Sequence, residues 1–171
     1  MVNYRVGGVA MAEVELDILT GEHEVRRVDI IEDAGTSLNP TLDIGQIEGG
    51  FIMAMGYWTT ERIIYDEASG ELLTDRTWQY HVPSGADIPL DFRVKLRKKS
   101  YNPLDVLGVR GVAEPPLCLA ICVAFALREA IAASRQETGF PRREWFHVDG
   151  PFTLDENVLS ADVRLDEFRF K

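Results

Sequence analysis

Between Val9 and Leu19 apolar and polar positions alternate. Ala10, Ala12, Val14, Leu16 and Ile18 fall on one face, with Glu13, Glu15 and Asp17 on the other. A period of two is that of a half-buried strand. Thr20-Gly21-Glu22 supplies a turn and Glu24–Glu32 resumes as a second strand, which predicts a hairpin. The strand runs out through Asp33-Ala34-Gly35 into a turn-rich loop, Thr36-Ser37-Leu38-Asn39-Pro40. From about Asp43 to Tyr57 the spacing turns helical. Ile44, Ile47, Phe51, Ile52 and Met55 form a stripe, interrupted by Gly45, Gly49 and Gly50. Each interior glycine costs about 0.8–1 kcal/mol against alanine. A helix carrying several therefore needs a close approach to its backbone, by another helix or by a ligand.

Trp58–Tyr65, rich in aromatic and β-branched residues, predicts a strand. It is followed by the turn Asp66-Glu67-Ala68-Ser69-Gly70 and a short strand Glu71–Thr74. Pro83 and Pro89 exclude a central strand between Tyr80 and Leu90, and Phe92–Leu96 predicts one more. A long apolar run begins at Leu117 and meets no charge before Arg128. Pro115 and Pro116 suit a first helical turn, while Gly139 and Pro141 supply the stop, so one helix is expected over about 116–138. A helical turn near Asp155 and an alternating tail, Val163–Phe170, complete the chain. The expected fold class is α+β: mixed strands and hairpins packed with a glycine-rich helix (about 43–57) and a long apolar helix (about 116–138). No linker divides residues 1–171, so they read as a single domain or fragment.

Composition narrows the possible partners. The formal charge of −10 argues against a nucleic-acid groove, which needs clustered Lys and Arg. The basic stretch Arg93–Lys99 reads as a strand with one solvated face. No apolar stretch reaches the roughly 18 residues of a membrane span, and no signal peptide precedes the first acidic residues. Cys118 and Cys122, four apart on the apolar helix, read as small buried hydrophobes of a reducing compartment, so a cytoplasmic location is expected. No CxxC occurs and the three histidines are scattered, so no metal ligands are assigned.

Glu114 stands at the mouth of the apolar helix. Acidic residues there commonly serve as ordinary helix starts, and the positive end of a helix dipole favours the ionised form. A fixed, ionised carboxylate is also what a general base requires. Spacing alone leaves both readings open.

Three ordered blocks go further. Asp33-Ala34-Gly35, Asn39-Pro40, Gly45-Gln46-Ile47-Glu48-Gly49-Gly50 and Met55-Gly56 together resemble a signature of the molybdenum hydroxylases, the xanthine dehydrogenase and aldehyde oxidase family. Tyr80, Pro83, Asp87-Ile88-Pro89 and Phe92-Arg93-Val94 follow in that family's order. Val112-Ala113-Glu114-Pro115-Pro116-Leu117 is similar to the segment bearing its active-site glutamate. The resemblance runs from about Gly8 to about Phe152.

It implies the C-terminal portion of a molybdopterin-binding region in an enzyme that oxidises N-heterocycles or aldehydes with water-derived oxygen. Glu114 would be the general base. Gln46 would reach the cofactor near the metal, and Gly45 and Gly49 would let the helix backbone come close to the pterin or to the catalytic helix. Ala113 stands where relatives commonly carry glycine, which is tolerable unless the backbone there needs a positive φ. The resemblance further implies partners on absent segments: the rest of the molybdopterin domain, and redox domains with FAD and iron–sulfur clusters. A homodimer of the parent enzyme is also implied. By itself the chain is expected to be inactive. A catalytically inactive interaction or scaffold domain that retains the fold is the alternative.

Overall fold

A computed structural model describes residues 4–141 and 144–163. Two strands, β1 (Gly8–Leu16) and β2 (His23–Glu32), form the predicted antiparallel hairpin, and β3 (Asp91–Leu96) adds to β2 in parallel, giving the order β1-β2-β3. The predicted alternation holds in β1, where Ala10, Ala12, Val14 and Leu16 turn inward. On β2 the buried residues are Val25, Val28, Ile30 and Glu32, with one gap of three. The gap is a β-bulge: Glu13 faces Arg27 and Val14 faces Val25, so Arg26 is the extra residue. The basic stretch of β3 is a strand with a solvated face, as expected, with Arg93 and Lys95 exposed and Phe92, Val94 and Leu96 turned toward the core.

One long helix, α1 (Pro40–Thr59), lies over the inner face. It begins earlier than the glycine spacing suggests, because Asn39 is not merely a loop residue. Its side-chain oxygen accepts the Leu42 N–H at 3.4 Å, and Pro40 occupies the first turn, where its missing N–H is harmless. At the other end the helix runs into the expected Trp58–Tyr65 strand. Thr59 is buried with its hydroxyl donating to the Met55 carbonyl at 2.8 Å, so tertiary burial overrides local β-propensity. What remains of that predicted hairpin is one isolated bridge, Tyr65 to Leu72, with the Leu73 N–H donating to the Ile64 carbonyl at 2.8 Å.

The apolar run makes two helices rather than one, α2 (Pro115–Leu119) and α3 (Ile121–Glu137). At Ala120 the ladder tightens into a turn, with the Val123 N–H donating to the Ala120 carbonyl at 3.0 Å. The stop falls where predicted, with Gly139 at φ 101°. Together α2 and α3 span 23 residues and are long and apolar enough to cross a membrane. In this fold they pack on β1 and α1, with Ala120, Val123, Leu127 and Ile131 buried, as core helices do. Cys118, expected inside, is exposed instead, because α2 lies along α1 with that side open. Cys122 is partly buried, which pushes its thiol up to about 11. A last helix, α4 (Leu154–Ala161), matches the turn expected near Asp155. Residues 164–170 of the alternating tail lie outside the described residues.

Candidate functional site

Gly50 fixes the geometry. It is buried in α1, and a Cβ built on it would stand 2.3 Å from the Ala113 carbonyl oxygen and 3.6 Å from Pro116 Cβ. Only a residue without a side chain lets the Glu114 segment settle on the helix this closely. Farther along, Met53, Ala54, Tyr57 and Trp58 of α1 share one apolar groove of about 430 Å³ with Leu117, Cys118 and Ile121. Lower numbers on one helix thus meet lower numbers on the other, so α1 and α2–α3 run side by side in the same direction. The mouth of α2 stands level with Gly50, and Gln46 lies four residues, about 6 Å of rise or roughly one helical turn, nearer the start of α1.

Glu114 is exposed, and its backbone is already helical (φ −80°, ψ −38°). It makes no side-chain capping bond, so the ordinary helix-start role is not realised. Its field comes from a five-residue helix, because the run breaks at Ala120. The carboxylate turns back over Gly111, where an added Cβ would lie 3.9 Å from Oε2. Gly111 is itself tethered, its N–H donating to the Tyr4 hydroxyl at 3.0 Å. Ala113 is not among the positive-φ residues, so its methyl strains nothing.

Gln46 is exposed and makes no side-chain hydrogen bond among the described residues. Gly45 and Gly49 flank it, both exposed, and a Cβ at either would meet nothing within 4 Å. The glycines thus divide their roles. Gly50 serves helix packing, whereas Gly45 and Gly49 bare a strip of backbone beside the glutamine. Leu42 and Met53 continue that open face at 65% and 70% exposure. An amide that both donates and accepts, a carboxylate one turn away and naked backbone between them would suit a polar, anionic group lying across α1.

The loop before α1 is pinned by a polar knot. Asp33 accepts from the Gly35 N–H at 3.0 Å and from Arg97 at 2.9 Å, and it also binds Ser100 and pairs with Arg110 at 3.4 Å. These hydrogen bonds and charges outweigh its burial and hold its carboxyl below the usual range. Gly35, at φ 66°, packs against Gly108 and Val109, where any Cβ would strike the Gly108 carbonyl at 2.4 Å. This contact ties the segment leading to Glu114 to the loop leading to Gln46. Sequence spacing named Gly50 together with Gly45 and Gly49 without telling their roles apart, and gave no hint that Tyr4 would hold Gly111.

No group of three or more His, Cys, Asp or Glu suited to a metal ion occurs among the described residues. A hollow of about 640 Å³ lies away from Glu114, at the C-terminal end of α1 between His23, His81, Asp87 and Phe152. His23, half-buried there, has its imidazole held below its usual value by desolvation, against the pull of Asp87.

The family model described as a molybdopterin cofactor-binding domain matches residues 1–89. Xanthine dehydrogenase of Dictyostelium discoideum is 42% identical over 166 residues, covering 97% of this chain. Xanthine dehydrogenase of Oryza sativa subsp. japonica is 43% identical and that of Rattus norvegicus (dehydrogenase/oxidase) 42%, each across 94% of this chain. The chain spans 12% of the length of each of these relatives. Among solved structures, quinoline 2-oxidoreductase from Pseudomonas putida 86 superposes with TM-score 0.75 at 29% identity, over 88% of this chain and 18% of that one. CO dehydrogenase from Oligotropha carboxidovorans shares the fold, with TM-score 0.77 at 23% identity over 92% of this chain and 18% of that one. The chain belongs to the molybdopterin cofactor-binding domain family.

Proposed function

We propose that this chain forms one wall of the active site in a molybdenum hydroxylase of the xanthine dehydrogenase and aldehyde oxidase type, acting on N-heterocycles or aldehydes. The observation that carries the reading is the Gly50–Ala113 contact, which seats Glu114 one turn from Gln46 while both side chains stay exposed. The residues fit a pterin-borne molybdenum centre in kind. Gln46 would hold it by hydrogen bonds and Gly45 and Gly49 would let it lie close to α1. When bound, the group supplies the redox chemistry that no side chain here can provide. Glu114 would act as the general base, its carboxylate accepting a proton from the oxygen nucleophile that the bound group presents. The apolar residues beside them, Leu42, Met53 and Leu117, help exclude water once covered.

The cover is the remainder of the molybdopterin domain, which the exposed face of α1 receives. FAD, iron–sulfur clusters and any homodimer contact belong to other segments of the parent enzyme. One carboxylate, one amide and an open helix face do not enclose a cofactor, which needs a concave, preformed site. The isolated 171-residue chain is therefore expected to purify without molybdenum and without turnover. Elemental analysis checks this, and stoichiometric metal would refute it. In a full-length protein carrying this chain, Gln46→Ala should lower cofactor retention and turnover by about 10-fold. Unchanged molybdenum content and rate would return the glycine face of α1 to helix packing alone.

A further inference from the structure

Glu32 closes the inner face of β2, in line with Val28 and Ile30, and it is completely buried. Neither carboxylate oxygen has a hydrogen-bond partner among the described residues. Among the described residues, its partners across the sheet carry no charge and the two nearby aspartates repel it. β1 puts Gly8 opposite in register and β3 puts Leu96. The adjoining Asp33 is itself anionic, and α1 contributes Asp43, which bonds to Ser37. The nearby cations, Arg97 at the end of β3 and Arg110 of the following loop, are engaged with Asp33. A buried carboxylate in such company is uncomfortable when charged.

We propose that Glu32 is a proton-operated latch beneath the first turns of α1, seated while neutral and working against that seat once ionised between Asp33 and Asp43. Desolvation, then the two aspartates, raises its carboxyl to about 7, so the latch would work near neutrality. The folded chain binds the proton more tightly than the unfolded one, so the stabilisation is complete below the unfolded value of 4.5. It is lost as pH rises toward 7. The idea concerns the fold and stands whether or not Gln46 meets a cofactor.

The test is denaturation of the 171-residue chain between pH 5 and 8, in wild type and Glu32→Gln. The wild-type folded-to-unfolded ratio should fall by on the order of 100-fold relative to the variant across this range. His23 is common to both proteins and its opposite slope cancels. Protection of amides 42–46, taken relative to their intrinsic base-catalysed exchange rate, should fall with pH in wild type alone. If Glu32→Gln does not fold, carbon-detected titration of the wild-type Glu32 carboxyl decides the matter. A midpoint near 7 supports the latch. A midpoint in the ordinary glutamate range, or parallel pH profiles for the two proteins, overturns it.

Discussion

Glu114→Gln in a full-length protein carrying this chain should leave fold and cofactor content intact while lowering turnover by about 10²–10⁴-fold. The fold should tolerate the change because the Glu114 side chain caps nothing and lies exposed at the start of α2. Glutamine keeps the shape and removes only the ability to accept a proton, so a base and a bystander are cleanly separated. Steady-state kinetics with molybdenum content and circular dichroism measured in parallel make the comparison. A rate within a few-fold of wild type would reduce Glu114 to a surface residue. A loss of cofactor would give it a binding role instead.

Gly50→Ala and Gly49→Ala should change stability in opposite directions although the two sites are adjacent. At Gly50 the new methyl group would meet a backbone carbonyl at 2.3 Å, and backbone on both helices must move to admit it. Overpacking of this kind costs about 1–3 kcal/mol. At Gly49 a methyl would meet nothing, so only the gain in helix propensity remains, up to about 1 kcal/mol. Urea denaturation of the 171-residue chain measures both. Stabilisation by both substitutions would show that propensity, not the approach of Ala113, governs the helix, and the seat of Glu114 would need another explanation.

Much of this was legible in the residues. The alternation of β1 named its inward face correctly because that face has a clear polar opposite. The glycine helix was visible from its stripe, yet its start was misplaced. Asn39-Pro40 looks like a turn until the helix it caps is known. Trp58–Tyr65 failed for a different reason: its β-branched residues carry strand propensity, but burial of Thr59 beside Met55 decides the conformation. Likewise Leu117–Leu127 reads as one rod, and only packing reveals the break at Ala120 and the open side holding Cys118. The motif order announced Glu114 and Gln46. What it could not supply was the seating of the Glu114 segment on α1, which rests on Gly50, a residue whose contribution is an absent atom. Glu32 was hidden altogether, because a carboxylate at a strand end ordinarily faces water.

The parallel pairing of β3 with β2 also sets an order of assembly. The hairpin closes through a short turn, whereas Arg97 reaches Asp33 across 64 positions of sequence. Loop closure over so long a crossover is slower than zipping a local ribbon. As the polypeptide leaves a ribosome, the ribbon and its covering helix are therefore on hand first, and the last strand, followed by the segment that delivers the carboxylate, arrives to complete them.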